Sequence, residues 1–427
     1  MLTVAYLANQ FPAAVEPYVS DEIAELRQRG IRVIPGSVRK RDTAQRESDS
    51  HSEILCLQPI RLRILLQALG LVVRNWKRIA GLLTRVLAQG KESPERRLKA
   101  LLHTWLGAYY AVQLQERGVD HIHVHHGYFG SWVALVAARL MGVSYSLTLH
   151  GSDLLVNGAY LDAKLNHCRF CLTISEYNRR YILQRFPAID YGRVVVSRLG
   201  VDVPEDAAFP RNIAPERHRL TLLAVGRLHA VKDHAFLIRA CARLRDRGLD
   251  LECAIAGEGP ERQHLTTLIR QNWLQEHFTL LGHVPRDQID SLYRRADVVV
   301  LTSRSEGIPL VLMEAMARGK VVVVPAITGI PEIVIPEKTG FLYAPGQLDD
   351  FVAKILFVQE LMRREDCAAV SRLDWIRHAA RVQVLHNFNH RKNLTQFGDE
   401  FLQRIAARTF ANEDWSPSHE DSVLQQI

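Results

Sequence analysis

Two glutamates separated by seven residues lie in the apolar stretch SRSEGIPLVLMEAMARG, which runs from Ser303 to Gly319. The preceding letters VVVLTS are typical of a buried strand, and Pro309 fits the first turn of a helix, where its missing N–H is not needed. Glu306 is therefore predicted in a strand-to-helix loop and Glu314 about one and a half turns into the helix. Free N–H groups at a helix start favour phosphate, and carboxylates accept hydrogen bonds from vicinal hydroxyls of a sugar or ribose. A surface loop acid followed by a helix acid is the alternative.

A second charged group follows a strand in LLAVGRLHAVKDHAFLIRA. Gly226 ends the strand, Arg227 comes next, and Lys232 lies five residues further on, near the start of a helix. Two cations beside a helix N-terminus can clamp a diphosphate, and an arginine can bind it through two N–H groups at once. The glycine spacing is not that of a P-loop. Two solvated bases on a turn are the alternative.

Three further strand ends carry polar residues or glycines. In YSLTLHGSDL a strand leads into His150 and then Asp153. A histidine there can donate to a hydroxyl or neutralise developing charge, whereas capping of the turn is the structural alternative. The turns GEGP (Gly257–Pro260) and GHVP (Gly282–Pro285) let the backbone approach a planar ligand, unless they are only tight turns.

Two stretches resemble metal sites, and we predict a metal ion at neither. Cys168 and Cys171 stand beside His167, but no second pair has zinc spacing, and Cys171 begins an apolar strand. Alternation along HIHVHH places three of its four histidines on one face of a strand. The histidines concerned are His121, His123, His125 and His126. Six cysteines in 427 residues do not make a disulfide framework.

Strands alternate with helical patterns twice along the chain, which predicts an α/β fold of two Rossmann-like, doubly wound domains facing a central cleft. The domains are expected at 1–205 and 220–365, joined by a proline-containing linker at 206–219. Helices at 366–408 are expected to pack back on the N-terminal domain, and 409–427 to form a tail. Ligands of open α/β sheets bind where strands end, so the charged stretches should meet in the cleft.

The net charge of +8 is concentrated in one insertion, at about 57–104, which contains ten Arg or Lys and two Glu. Its apolar positions, among them Leu66, Trp76, Leu83 and Val86, fall near one helical face, and most basic residues fall on another. Such a basic amphipathic helix can lie on an anionic membrane surface, or it can pack on the N-terminal domain with a solvated basic side. Charge confined to one insertion argues against nucleic acid. The N-terminus lacks signal-peptide features, which predicts a cytoplasmic protein.

The order and content of these stretches resemble the family-four retaining glycosyltransferases, which have the GT-B fold. The resemblance extends from the N-terminus to about residue 404. It is most specific in Gly226–Lys232, in the stretch with the two glutamates, and in TGIPEIV (Thr328–Val334). HVHHGYFGSWVALVAARLMG, together with LTLHGSDL, looks like the members that build bacterial exopolysaccharide, such as colanic-acid-type enzymes.

The resemblance implies a role for each matching residue. Arg227 and Lys232 bind the donor diphosphate and stabilise it as leaving group. Glu306 holds hydroxyls of the transferred sugar, Glu314 those of the ribose, and His150 contacts the sugar near the anomeric centre. The implied donor-binding positions are Gly226, Gly257, Gly259, His283, Val284, Gly307, Ile308, Pro309, Leu310 and Glu314.

The first loop, NQFPAAVEPYVSDEI, has no glycine-rich turn of the kind that many family members use. Glu16 and Asp153 are the candidate acceptor contacts. The sequence therefore predicts a retaining, metal-independent glycosyltransferase without cofactor. It would use a UDP- or GDP-linked sugar and a glycan or polyprenyl-linked acceptor, in exopolysaccharide or cell-surface polysaccharide biosynthesis. A sugar-nucleotide epimerase of the same fold and a non-catalytic basic binding protein are the alternatives.

Overall fold

A computed structural model describes residues 1–13, 16–39, 54–90, 92–156, 158–204, 219–364 and 367–407. The predicted tail, 409–427, lies outside the described residues, as does the predicted linker except for residue 219. Two parallel β-sheets form the centres of two lobes, each covered by helices on both faces. The prediction of two doubly wound domains is confirmed.

The N-terminal lobe is built on a seven-stranded sheet with the order β3-β2-β1-β4-β5-β6-β7. Its strands are buried on both faces, which fits their continuous apolar letters. The elements are β1 (Thr3–Ala8), α1 (Pro17–Gln28), β2 (Arg32–Ser37), β3 (Leu55–Cys56), α2 (Leu62–Asn75), α3 (Ala80–Leu87), α4 (Pro94–Gln115), β4 (His121–His125), α5 (Phe129–Met141), β5 (Ser144–Leu149), α6 (Ser152–Leu155), α7 (Leu161–His167), β6 (Cys171–Thr173), α8 (Glu176–Arg185) and β7 (Val194–Val196).

The C-terminal lobe has a six-stranded sheet with the order β10-β9-β8-β11-β12-β13. Strand β11, with the letters VVV, is wholly enclosed between helices. The elements are β8 (Leu220–Val225), α9 (His234–Asp246), β9 (Leu251–Ala256), α10 (Arg262–Gln271), β10 (Phe278–Gly282), α11 (Arg286–Arg295), β11 (Val298–Val300), α12 (Leu310–Ala317), β12 (Val321–Pro325), α13 (Ile330–Ile333), β13 (Phe341–Tyr343) and α14 (Leu348–Arg363).

The strand order reverses between β1 and β4 in one sheet and between β8 and β11 in the other. At such a switch point the connections diverge to opposite faces and leave a crevice at the carboxyl ends of the strands. The loops that follow β5, β8 and β11 carry most of the candidate residues of the sequence analysis, while Glu16 follows β1 and the turns GEGP and GHVP lie at the ends of β9 and β10. The topology therefore explains why residues far apart in the chain can share one site.

Two last helices, α15 (Cys367–Asn387) and α16 (His390–Ala406), divide between the lobes. Helix α15 buries Leu373 and Ile376 in the core of the C-terminal lobe, so it does not return to the N-terminal lobe as expected. Only α16 does so: it packs on α1 and inserts Phe397 and Phe401 against the N-terminal sheet. The chain crosses between the lobes again at Asn389, which bridges to Val201.

The basic insertion forms α2, α3 and the first part of α4 rather than one helix, and a 3-10 turn at Trp76–Arg78 separates α2 from α3. The break separates residues that the helical pattern had placed on one face. Leu66 and Trp76 are exposed, whereas Val86 of α3 is buried in the lobe and Leu83 packs partly buried against the same core. None of the helices in the described ranges is long and apolar enough to cross a bilayer.

Candidate active site

The C-terminal lobe brings a lysine and a glutamate together at its switch point. Lys232 ends a short 3-10 turn after β8, and Glu306 lies in the loop after β11. Nζ of Lys232 is 2.6 Å from Oε1 of Glu306, and their side chains keep only 18% and 10% of their surface exposed. Ser303 donates a hydrogen bond from its hydroxyl to the same carboxylate oxygen. An ion pair is therefore preassembled where the resemblance implies the donor.

The backbone around Lys232 is held by contacts that the sequence analysis missed. Asp233 has a left-handed backbone with φ of 47° and caps α9 by accepting from the N–H of Phe236. Its other carboxylate oxygen accepts from Nε of Arg304 at 2.7 Å, and the Thr302 hydroxyl donates to the carbonyl of Lys232 at 3.0 Å. An aspartate directly before a helical pattern, as in KDHAF, is the capping signal that could have revealed it.

Arg227 comes directly after Gly226 at the end of β8, and its side chain is exposed. Burial raises the pKa of the Tyr128 phenol, and the nearby positive charge of Arg227 is among the influences that lower it. The charge of Arg227 therefore acts on a side chain of the other lobe.

The glycines of the GEGP turn fit between backbone segments. A Cβ on Gly257 would lie 2.0 Å from the carbonyl oxygen of Gly226, and one on Gly259 would lie 2.3 Å from that of Leu228. Close packing of strand ends is therefore enough to explain both glycines, and their contact with a donor stays a prediction. In the GHVP turn His283 is exposed and Val284 half-buried, and neither lines the cavity described next.

Glu314 faces a cavity of about 360 Å³ between the lobes. Its Oε2 accepts a hydrogen bond of 2.9 Å from the hydroxyl of Tyr293, which fixes the carboxylate. Arg227, Lys232 and Glu306 do not line this cavity. The two glutamates of the opening stretch therefore serve different parts of the cleft. The cavity is lined by Glu314 with Leu310, Arg318, Tyr18, Arg198 and His390, among others.

The segment between the two glutamates leaves several backbone donors free. Pro309 precedes the first residue of α12, one position before the first turn in which it was predicted. Within the described ranges, no protein acceptor takes the N–H groups of Gly307, Ile308 or Leu310. Ile308 and Pro309 are buried and Leu310 is half-buried, so the segment is held while its donors remain available.

The two lobes touch at this segment. A Cβ on Gly307 would lie 2.6 Å from the carbonyl oxygen of His150, and one on Gly151 would lie 3.1 Å from Cα of Gly307. Glu332, in the letters TGIPEIV, crosses the same boundary by accepting from the N–H groups of Glu176 and Tyr177 at 3.0 and 2.6 Å. Glycine at 307 is thus required by contact between the lobes.

Asp153 is fully buried and accepts hydrogen bonds within its own turn. The N–H groups of Gly127, His150 and Gly151 donate to its two oxygens at 2.8, 3.1 and 2.6 Å. Burial by itself would raise the pKa of Asp153, but these bonds and the charge of His126 lower it. The capping alternative explains these contacts, and the side chain has no surface left for an acceptor.

Glu16 pairs with a histidine that the sequence analysis did not single out for this role. Oε1 of Glu16 is 3.0 Å from Nε2 of His126, and Nδ1 of His126 is 3.7 Å from Asp153. Burial opposes charge on His126, but the two carboxylates outweigh it and raise the pKa of His126 to about 9. His126 is therefore an imidazolium at neutral pH, and a quarter of the Glu16 side chain stays exposed.

The remaining histidines of HIHVHH form a buried ladder with polar residues of β5. His121 bonds to Ser144 and Ser146, and His123 bonds to Ser146 and Thr148, at 2.6 to 3.0 Å. Burial lowers the pKa of His121 to about 3 and that of His123 well below its ordinary value, so both are neutral. Alternation along β4 predicted their common face but not the hydrogen-bonded partners.

Two groups have the composition of a metal site. Glu22, His123 and His125 have ligand atoms within 4.8 Å of one another, but the ring nitrogens already engage protein partners. Cys168 and Cys171 are buried, and burial raises the pKa of Cys168 to about 12, which keeps it a thiol and a poor metal ligand. The absence of a resident metal stays a prediction.

Comparison with known proteins follows the division into lobes. Residues 15–205 match the family model described as Glycosyltransferase Family 4, and residues 207–372 match the one described as Glycosyl transferases group 1. The first match ends and the second begins where the chain passes from one lobe to the other. The chain belongs to the family 4 glycosyltransferases. The resemblance inferred from its motifs is confirmed.

This glycosyltransferase is similar to proteins named for exopolysaccharide synthesis. It is 26% identical to the amylovoran biosynthesis glycosyltransferase AmsK of Erwinia amylovora, over 95% of this chain and 100% of AmsK. It is 32% identical to the putative colanic acid biosynthesis glycosyltransferase WcaL of Escherichia coli, over 46% of this chain and 48% of WcaL. The match thus spans about half the length of WcaL and the whole of AmsK.

Solved structures show that the glycosyltransferase has the GT-B fold. Sucrose-phosphate synthase of Thermosynechococcus elongatus superposes with a TM-score of 0.72 at 18% identity, over 95% of this chain and all of its own. Anabaena HepE, in a complex with UDP and glucose, superposes with a TM-score of 0.66 at 17% identity, over 94% and 99% of the two chains. At these identities the likeness concerns the fold.

Proposed function

We propose that this glycosyltransferase transfers a sugar from a UDP- or GDP-linked donor to a glycan or lipid-linked acceptor, with retention of configuration, in exopolysaccharide or cell-surface polysaccharide biosynthesis. The Lys232–Glu306 ion pair carries the proposal, because it sets a cation and a carboxylate side by side at the edge of the C-terminal sheet. The names of WcaL and AmsK support the pathway, and the HepE complex supports a nucleotide-sugar donor.

Charge development in the reaction explains the residue types. Breaking the anomeric C–O bond puts negative charge on the diphosphate and positive character on the sugar ring. Arg227, Lys232 and the free N–H groups of Gly307, Ile308 and Leu310 stabilise the departing diphosphate. These groups take the place of a divalent ion in the proposed reaction.

The other residues position the donor. Glu306 hydrogen-bonds hydroxyls of the transferred sugar, Glu314 bonds the ribose in the 360 Å³ cavity, and His150 contacts the sugar near the anomeric centre. Retention follows if the acceptor attacks from the face that the diphosphate leaves, with the departing phosphate as base. Of the two acceptor candidates, Glu16 keeps exposed surface beside the cleft.

A screen of nucleotide sugars for slow donor hydrolysis tests the proposal and identifies the donor. We expect one UDP- or GDP-sugar to release its sugar in the presence of the protein, with the anomeric configuration retained when an acceptor is supplied. Calorimetry with UDP and GDP is the first control, since a non-catalytic basic protein would bind neither specifically. Interconversion of the donor without release of sugar would identify an epimerase instead.

Exposed apolar side chains of α2 and α4 support a second proposal, that the protein attaches to an anionic membrane. Helix α2 and the turn after it expose Leu62, Leu66, Leu69, Val73 and Trp76, at spacings of three and four residues that form one stripe. Helix α4 packs against α2 and exposes Leu98, Leu102 and Trp105 at the same spacing. We call these eight side chains the apolar face. An exposed apolar surface of this kind is typical of an interaction site.

The charge beside the apolar face favours a membrane as its partner. Arg63, Arg74 and Lys77 are exposed next to the stripe, and no described residue pairs with them. Arg85, by contrast, forms ion pairs within the protein, with Glu92 and Asp162. Free cations beside large apolar side chains suit anionic headgroups over acyl chains. We therefore place the protein at the cytoplasmic face of the membrane, bound peripherally.

The apolar face also lies near the cleft. His103, the neighbour of Leu102 on α4, stacks on Phe129 with ring centroids 4.7 Å apart, and Phe129 follows Tyr128 of the cleft wall. A lipid-linked acceptor held in the membrane would thus enter the cleft beside the membrane-bound surface.

Flotation with vesicles tests the attachment. The protein should float with phosphatidylglycerol-containing vesicles at low salt and much less with neutral ones. Leu66→Glu with Leu102→Glu should abolish flotation, whereas Leu281→Glu, an exposed leucine of the other lobe, should not. Failure to float with anionic vesicles at low salt would remove the membrane proposal. A dimer that dissociates on Leu66→Glu would show that a second copy covers the face.

A further inference from the structure

A chain of buried hydrogen bonds connects Glu22 to His150 through His125. Oε2 of Glu22 is 2.9 Å from Nε2 of His125, and Nδ1 of His125 is 3.0 Å from Nε2 of His150. The three residues expose 6%, 0% and 9% of their surface. They come from α1, from β4 and from the loop after β5, so three separate elements have to be in place to form this relay.

The direction of each hydrogen bond follows from what each group can do. An ionised carboxylate can only accept hydrogen bonds. Nε2 of His125 therefore carries a proton and donates a hydrogen bond to Glu22. In a neutral imidazole the other nitrogen is then an acceptor, so Nδ1 of His125 accepts from an Nε2–H of His150. His150 is left with Nδ1 unprotonated.

That remaining nitrogen is open to a ligand. Nδ1 of His150 has no hydrogen-bond partner in the described part of the chain, and it is not among the enclosed polar atoms that lack one. Tyr18 stacks on the ring at 4.9 Å between centroids and holds its plane. Burial, followed by the charge of His126, keeps the pKa of His150 well below its ordinary value, so the ring stays neutral.

We propose that Glu22, acting through His125, fixes the Nε2–H tautomer of His150, so that Nδ1 accepts a hydrogen bond from a hydroxyl of the donor sugar. The inference rests on the proposed function, because it takes contact between His150 and the sugar as given. Glu22 and His125 are positioning residues, and His150 alone touches substrate. One consequence is specificity: a donor whose hydroxyl at this point is replaced by hydrogen or an ether loses the bond.

The tautomer can be read directly from ring-nitrogen chemical shifts of the protein labelled with 15N-histidine. We expect Nδ1 of His150, assigned by its loss in His150→Gln, to resonate as an unprotonated nitrogen and Nε2 as a protonated one. A protonated Nδ1 in the wild-type spectrum would overturn the proposal without any variant. In that case Nδ1 of His125 would carry the proton of this hydrogen bond and Nε2 of His150 would accept it.

Two variants separate the relay from simple packing. Glu22→Met removes the acceptor, and the Tyr6 hydroxyl, 2.8 Å from Nε2 of His125, becomes the donor to it. His125 then switches tautomer and so does His150, whose Nδ1 becomes protonated. Tyr6→Phe is the matched control, since it removes a contact to Glu22 but leaves the carboxylate, and the shifts should stay as in the wild type. An unchanged His150 pattern in Glu22→Met contradicts the proposal.

Calorimetry links the tautomer to the sugar. For the nucleotide sugar that the wild type binds, we expect Glu22→Met to weaken binding about tenfold, as for one lost hydrogen bond, and to leave the affinity for the free nucleotide unchanged. An equal loss for both ligands would show a structural effect and overturn the inference. If no nucleotide sugar binds the wild type, the proposed function fails and the sugar-accepting role with it, while the spectra still decide the tautomer.

Discussion

The two walls of the cleft are built on opposite principles. The N-terminal wall consists of buried polar groups that bond to one another, as in the Glu22–His125–His150 relay and in the turn capped by Asp153. The C-terminal wall presents Arg227, which is exposed, and Lys232, which is half-buried, beside backbone donors without protein partners. The polar groups of the N-terminal wall thus bond mainly to one another and hold the wall in shape. Those of the C-terminal wall are available to bind a ligand. Removing a polar group should therefore damage stability in the first wall and activity in the second.

Two lysines test this contrast most directly, and the larger effect is expected at Lys232. Replacing it with Ala removes a charge that stabilises the leaving diphosphate, so kcat for donor hydrolysis should fall by about 10²-fold to 10³-fold. The free energy of unfolding should change little, because the side chain is half-buried and pairs, among the residues that the structure describes, only with Glu306. Arg243→Ala, which removes an exposed cation of the same lobe that pairs with Asp349, is the control and should keep most activity. Full activity of Lys232→Ala would contradict the diphosphate clamp.

Lys164 in the N-terminal lobe should behave in the opposite way. It is fully buried, and its Nζ donates to the carbonyl oxygens of Gly127, Tyr128 and Ala159 at 2.7, 3.0 and 2.7 Å. Lys164→Met leaves three buried acceptors without a donor, so we expect the free energy of unfolding to fall by about 3 kcal/mol. Urea denaturation measures this loss.

The activity of the Lys164→Met protein, measured per folded molecule, is the control. Because Nζ of Lys164 bonds to backbone carbonyls and has no role in the proposed reaction, kcat per folded molecule should stay within about threefold of the wild type. A stable but inactive Lys164→Met protein would show that the N-terminal wall also acts in the chemistry, and the contrast between the walls would break.

Glu314 sharpens the contrast inside the C-terminal wall. Glu314→Gln keeps the shape but turns a charged acceptor for ribose hydroxyls into a neutral amide, so UDP or GDP should bind about tenfold more weakly. Glu337→Gln, an exposed acid of the same lobe, is the matched control and should not change binding. Calorimetry with the free nucleotide measures the effect. Unchanged affinity would place the ribose away from the 360 Å³ cavity.

Local pattern was enough to predict the sheets and the strand ends, because period and turn residues are properties of neighbouring residues. It also predicted that Lys232 and Glu306 share an edge, since parallel strands end on one side. It could not reveal that Glu332 caps α8 from the other lobe or that Glu16 pairs with His126. Tertiary packing brings these partners together, and local pattern carries no information about it. The prediction of a single helical face in the insertion was wrong for a related reason. The turn at Trp76–Arg78 shifts the helical phase, so that Val86 is buried while Leu66 is exposed.

The smallest expected effect concerns His126, the histidine of the N-terminal wall that carries a charge. The pKa of His126 is raised to about 9, whereas an unfolded histidine titrates near pH 6.5. The folded state therefore binds this proton more tightly, and the resulting stability is complete below about pH 6.5 and is lost as the pH rises through 9. Glu16→Gln removes one of the two carboxylates and should lower both the pKa and that stability, by about 1 kcal/mol at pH 6 and almost nothing at pH 10. Burial lowers the pKa of Lys164 to about 7, but this group is present in both proteins. The difference between their free energies of unfolding in urea, measured at each pH, therefore isolates the contribution of His126. An equal difference at pH 6 and pH 10 would mean that Glu16 contributes by packing and not through the charge of His126.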